Sequence, residues 1–202
     1  MIIVLLTKEI CYEKASYERE KMPLNLTVID DFLPKKEFSQ IYNNISLLEW
    51  SHNSNYITDV NHIWYSSGPL SPQDFSLFKK ALRKKLSKKI IHCELNSWTW
   101  VNTKEPRPHI DYRKGKCEQQ LVFYIKSDEK INGGTGFYRQ EEENSEEKDN
   151  YLDVHVGFKE NRAVFFESKN CFHTPLLWNA DNKTLGRYSA IFQLVVKDQN
   201  VD

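Results

Sequence analysis

The sequence predicts an α+β chain, mainly β, with a jelly-roll core and helices packed outside one sheet, on three observations. Apolar residues recur at helical spacing before residue 90 and at period two from there to the end. Aromatic residues make up 13% of the chain while glycine occurs only seven times, a composition that favours strands over tight turns. At 202 residues the chain has the length of one domain, or of one domain with an arm, and is long enough to bury a real core.

Residues 1–21 are expected to form an N-terminal arm, and 22–202 the domain. The arm opens on the apolar run from Met1 to Leu6, which lacks a preceding basic region and is too short for a signal peptide or a membrane span. Leu24 to Ile29 alternates as a strand, and Asp31, Phe32, Leu33 and Pro34 close it. A helix follows at about 35–48, with Phe38, Ile41, Ile45 and Leu48 at helical spacing. Ser71 and Pro72 supply the N-cap and first-turn proline of a second helix over 72–88, whose apolar stripe is Phe75, Phe78, Leu82 and Leu86. Its opposite face carries Lys79, Arg83 and Lys84 and is expected to be solvated.

The jelly-roll core is placed at about 90–197. Short strands are expected near 90–102, 109–112, 119–126, 135–139, 151–157, 162–167, 171–177 and 187–197. The segment from Gln140 to Asn150 has no apolar residue and is expected to be a solvated loop, with a substrate lid as the alternative reading. Asn132, Gly133 and Gly134 fit a turn that needs positive φ.

Charge and cysteine usage bound the function. Lysine plus arginine and aspartate plus glutamate each number 28, so the formal net charge is zero and no nucleic-acid or membrane partner is implied. Cysteines 11, 93, 117 and 171 are widely spaced, which suggests neither a disulfide framework nor a zinc ribbon, and a reducing, cytoplasmic setting is expected.

The chemistry concentrates in four residues. Pro108-His109-Ile110-Asp111 places an imidazole and a carboxylate at i and i+2, on one face of an extended backbone. His173 follows in Cys171-Phe172-His173-Thr174-Pro175. Two histidines and one carboxylate are the facial triad of non-haem Fe(II), which leaves coordination positions open. Arg187 begins the last strand, and period two puts it on one face with Ser189, Ile191 and Gln193. A guanidinium inside a barrel is costly unless an anion pairs with it, so the ligand expected is a dicarboxylate that chelates the metal at one end and meets Arg187 at the other. Taken singly, His109 and His173 are ordinary strand histidines, Asp111 a turn former and Arg187 half of an ion pair; their conjunction carries the argument. His52, His62, His92 and His155 lack ligand-like partners and are expected to be structural or on the surface. Of Trp98 and Trp100, one is expected to face the cavity.

With these residues the chain resembles the Fe(II)- and 2-oxoglutarate-dependent dioxygenases, in particular the prolyl-4-hydroxylase-like branch with phage and marine-bacterial members. The resemblance runs from about Leu24 to Val196. It rests on Val28-Ile29-Asp30-Asp31-Phe32-Leu33, Pro108-His109-Ile110-Asp111, Leu121-Val122-Phe123-Tyr124-Ile125, Asn132-Gly133-Gly134-Thr135-Gly136-Phe137, Asn161-Arg162-Ala163-Val164-Phe165-Phe166, Phe172-His173 and Arg187-Tyr188-Ser189. It implies a double-stranded β-helix, a cupin-like barrel, with His109, Asp111 and His173 as iron ligands. Arg187 would clamp the co-substrate 2-oxoglutarate, Tyr124 would donate to the same carboxylate and Ser189 would assist. The implied reaction uses O2 to hydroxylate an unactivated C–H bond of a small-molecule or peptide substrate, with release of succinate and CO2. Two positions depart from the family pattern: Thr174 stands where glycine is usual, and Thr135-Gly136 where an acidic residue or a threonine run is usual. Two other classes fit parts of the pattern. A cupin-like metalloenzyme without 2-oxoglutarate would not need Arg187, and a non-catalytic jelly-roll binding module would need none of the four.

Overall fold

The computed structural model describes residues 4–5, 24–52, 64–101, 108–127, 133–140, 150–169, 171–176 and 186–199. In chain order the elements are β1 (Val4–Leu5), β2 (Leu26–Ile29), α1 (Lys35–Asn44) with a 3-10 turn (Ile45–Leu47), β3 (Ser51–His52), β4 (Trp64–Pro69), α2 (Pro72–Leu86) and β5 (Lys88–Val101). They continue with β6 (Gln119–Ser127), β7 (Gly134–Gln140), β8 (Asn150–Gly157), β9 (Arg162–Glu167), β10 (Phe172–Leu176) and β11 (Arg187–Asp198). Eight strands form one antiparallel sheet in the order β1-β2-β9-β6-β11-β5-β4-β3, and three form a second in the order β10-β7-β8. The described residues are thus mainly β, with two antiparallel sheets, two helices and a jelly-roll-like sandwich of layers.

Alternation along the central strands decides what each face meets. Leu121, Phe123 and Ile125 of β6 and Ala190, Phe192 and Leu194 of β11 turn to the helical side, where they pack with Ile41, Phe78 and Leu82. Phe78 is fully buried there, its ring 4.7 Å from Phe192, 5.0 Å from Phe123 and 6.1 Å from Trp98. Val122 and Tyr124 turn the other way and pack with Val164, Phe166, Phe137 and Val156, which ties the large sheet to the small one. Gln120, Val122 and Tyr124 of β6 and the residues of odd number on β11 therefore face the space between the sheets, whereas beyond the register shift at Ile125 the side chain of Lys126 turns to the helical side, over Tyr42.

Local chemistry sets the element ends. The Ser71 hydroxyl accepts from the Asp74 N–H, and α2 stops at Leu86 because Ser87 turns left-handed at φ 52°. The helix expected over 35–48 tightens into a 3-10 turn after Asn44, since Asn43 and Asn44 are weak helix formers. In place of the strand expected at 109–112 there is a single bridge, His109 to His173; Pro108 has no N–H with which to extend a ladder. Strand β4 was not anticipated, because Ser66, Ser67 and Gly68 interrupt its apolar pattern at an irregularity in its register with β5. From the proposed arm, Val4 and Leu5 pair with Val28 and Thr27, while residues 6–21 lie outside the described set. So do 141–149 of the expected loop, and Asn132 and His62. Among the described residues, no helix is long and apolar enough to cross a membrane.

Candidate metal centre and buried guanidinium pocket

Backbone pairing brings the histidines together. His109 N–H donates to the His173 carbonyl at 3.1 Å, and His173 N–H returns a bond to His109 at 3.0 Å. Such a reciprocal pair sets two side chains on the same side of the ladder, and the imidazole centroids lie 4.6 Å apart. Asp111, two residues on, returns to that side: its Oδ2 is 3.7 Å from Nε2 of each histidine. The three ligand atoms all lie within 4.8 Å of one another. Ligand bonds to a transition metal run at about 2.0–2.2 Å, which sets two ligand atoms of one ion at most about 4.4 Å apart, a spacing that Asp111 Oδ2 keeps with each imidazole.

The protonation states suit a cation. Burial, helped by the charge of His109 and opposed by Asp111, pushes His173 down to about 4. Its ring is neutral at pH 7, with Nδ1 3.2 Å from the Cys171 carbonyl; an N–H donated there leaves the Nε2 lone pair facing Asp111. Burial would raise Asp111, but pairing with His109, the charge of His173 and a hydrogen bond from Gln120 outweigh it and hold the carboxyl at about 2. His173 is 7% exposed in its side chain and His109 38%, so one flank of the triad is sealed and the other opens to solvent. Phe166 closes the sealed flank, 5.0 Å from the His173 ring.

A second group of polar side chains lies on the inter-sheet face of the large sheet. Arg187 is 2% exposed at the start of β11, its guanidinium 5.1 Å over the Tyr124 ring. It donates through Nη1 to the Gly134 carbonyl, while its buried Nε has no partner. Ser189, in register with Tyr124, has a buried hydroxyl that is also unpartnered. The Tyr124 hydroxyl donates to Thr135 Oγ1 at 2.7 Å, and burial pushes its pKa up, against the pull of Arg187. Burial likewise pulls Arg187 down, and among the described residues no carboxylate pairs with it. Gly134 is required at this wall: a Cβ there would lie 2.1 Å from the Val156 carbonyl oxygen.

The structure therefore brings His109, Asp111 and His173 into one cluster, and Arg187, Tyr124 and Ser189 into another. The expectation that a tryptophan of β5 faces the cavity is corrected. Trp98 packs on Phe78 and Trp100 stacks on Tyr188, both on the helical side, because residues two apart on a strand share a face. His92 and His155 are exposed, His92 against Glu94 at 3.2 Å. Three contributors were not singled out from sequence: Gln120, Thr135 and the Cys171 carbonyl. Only Gln120 left a signal, as an amide at a fully buried position next to the apolar run Leu121–Ile125.

No family model and no curated protein matches the chain. Among solved structures, a Pseudomonas putida prolyl-4-hydroxylase is similar at 11% identity and TM-score 0.47, over 88% of this chain and 94% of that one. A prolyl hydroxylase from Trichoplax adhaerens, solved in complex with a peptide fragment of the hypoxia inducible factor oxygen degradation domain, is similar at 10% identity and TM-score 0.50. There the match covers 84% of this chain and 83% of the other. At such identity the likeness is one of fold.

Proposed function

We propose that the protein is a non-haem Fe(II)- and 2-oxoglutarate-dependent dioxygenase that hydroxylates a prolyl, other peptidyl or amino-acid substrate in a reducing, cytoplasmic setting. In this reading the core is a double-stranded β-helix, 22–202 is the catalytic domain and 1–21 an arm. The observation that carries it is the presence of two incomplete sites against the inter-sheet side of β6: a triad with an open flank, whose Asp111 accepts from Gln120, and a buried guanidinium over Tyr124 with no anion among the described residues. A metalloprotein without a dicarboxylate co-substrate has no use for the second.

The residues present fit both groups. Two imidazoles and one carboxylate suit Fe(II), and the unpartnered Nε of Arg187 with the Ser189 hydroxyl suits a carboxylate of 2-oxoglutarate. When bound, iron and its co-substrates supply the oxidation: 2-oxoglutarate and O2 become succinate and CO2 as a substrate C–H becomes C–OH. The chain's own work is placement. His109, Asp111 and His173 hold the metal on the open flank, and Arg187, Tyr124 and Ser189 fix the far carboxylate in a site closed to water. Phe137 and Phe166 keep the His173 side apolar. The peptide complex of the Trichoplax fold neighbour makes a peptide the first substrate class to try.

Succinate release tests the proposal. With Fe(II), 2-oxoglutarate and proline-containing peptides or free amino acids, the parent protein should release succinate. His109→Ala and His173→Ala should each lose iron and turnover, and Asp111→Gly should lose turnover while remaining folded. Stoichiometric iron retained in both histidine variants would refute the triad, and metal-dependent turnover without 2-oxoglutarate would support a cupin-like enzyme instead.

A further inference from the structure

We propose that Gln120 is a positioning residue of the metal centre: its side-chain amide holds the Asp111 carboxylate where it faces both imidazoles. This rests on reading the triad as a metal site. Gln120 is 1% exposed, the second residue of β6, and its Nε2 donates to Asp111 Oδ2 at 2.8 Å. That is the oxygen lying 3.7 Å from Nε2 of both His109 and His173. A primary amide buried this completely is costly unless it is hydrogen-bonded.

The two partners differ in how firmly the backbone holds them. Asp111 stands between the His109 bridge and the turn in which Arg113 and Cys117 exchange backbone bonds, and it belongs to no strand. Gln120 is held on both sides, in register with Phe166 of β9 and Gln193 of β11. The amide therefore lends the rigidity of the sheet centre to a ligand on an irregular segment. A carboxylate offers about four lone-pair directions, so accepting from Gln120 leaves Asp111 free to bind a metal as well. Outer partners of this kind orient a ligand, and losing one typically costs about 10–100-fold in metal affinity.

Cobalt(II) binding to the full-length protein tests this, read both as a dissociation constant and as the Co(II) d–d absorption spectrum. Gln120→Met keeps the volume and removes the donor; it should bind Co(II) about 10–100-fold more weakly, with an altered spectrum. Gln120→Asn, polar but one methylene short, provides the second measurement should the Met variant not fold, and it should move the same way. Gln193→Met is the control. Gln193 is 3% exposed, the cross-strand neighbour of Gln120, and its Oε1 accepts from Arg113 at 2.6 Å; this variant should keep the parent's affinity and spectrum. Parent-like binding by the Gln120 variants, or an equal loss in Gln193→Met, would overturn the proposal. Failure of the parent itself to bind Co(II) would remove the metal centre, and this inference with it.

Discussion

Arg187 is the residue whose surroundings make least sense without a ligand. It is nearly the most deeply buried charge that a side chain can be, with one backbone carbonyl, one aromatic face and, among the described residues, no anion to offset its desolvation. Such a site trades stability for function. Arg187→Met should accordingly leave the ligand-free, metal-free protein at least as stable in urea unfolding as the parent, while abolishing the further stabilisation that 2-oxoglutarate gives to the metal-loaded protein. At a ligand concentration of 100 times Kd that stabilisation is about 2.7 kcal/mol in the parent. A variant clearly less stable than the ligand-free parent would mean that the guanidinium serves the fold. The types of His109, Asp111, His173 and Arg187 announce metal and anion chemistry, and for that reason they were legible in the sequence. Thr135 and the Cys171 carbonyl were not, since a hydroxyl or a peptide group acquires such a role only through where the chain places it.

Among the elements, β2 shows how a strand end is fastened to the turn that precedes β9. At its end Asp30 receives Arg162 Nε at 2.7 Å and Lys159 Nζ at 2.8 Å, while the Asn161 side chain bonds both the N–H and the carbonyl of Leu33. The hydrogen bond from Arg162, against a smaller opposing effect of burial and with help from Lys159, holds Asp30 at about 2, below its ordinary 3.8. A depressed carboxyl contributes stability that is present above 3.8 and is lost as pH falls toward 2. Acid unfolding followed by circular dichroism should show this loss in the parent between about pH 4 and 2. Asp30→Asn should be less stable at neutral pH and flatter across that window, and an unchanged acid profile would contradict the assignment. Elements of this kind were legible where one period dominates, as in α2, β6 and β11. The bridge at His109 and strand β4 were not, because proline and glycine interrupt the pattern while tertiary pairing still holds the chain extended.

At the scale of the molecule, helices, large sheet and small sheet form three layers, and the large sheet is shared by the core and the site. Phe78 sits where α2 meets that sheet, touching Phe32, Trp98, Phe123 and Phe192. Phe78→Ala should cost about 3–5 kcal/mol in urea unfolding. Because β6 and β11 carry the core on one face and Gln120, Tyr124, Arg187 and Ser189 on the other, the loss should also weaken metal binding. A loss of stability without that effect would show that the two faces are independent. The layer order follows from the change of period after residue 90, whereas the division of strands between the sheets does not, since alternation marks two faces without saying which neighbours a strand takes. The central claim is that one cavity holds a metal and a dicarboxylate together. Its most direct test is anaerobic calorimetric titration of 2-oxoglutarate into protein with and without Fe(II). The account predicts binding to the Fe(II)-loaded parent, far weaker binding without metal, and a loss of roughly 1.5–3 kcal/mol for Arg187→Lys, which keeps the charge but not the fork. An Fe(II)-loaded parent that does not bind 2-oxoglutarate, or an Arg187→Lys variant that binds it equally well, would contradict it.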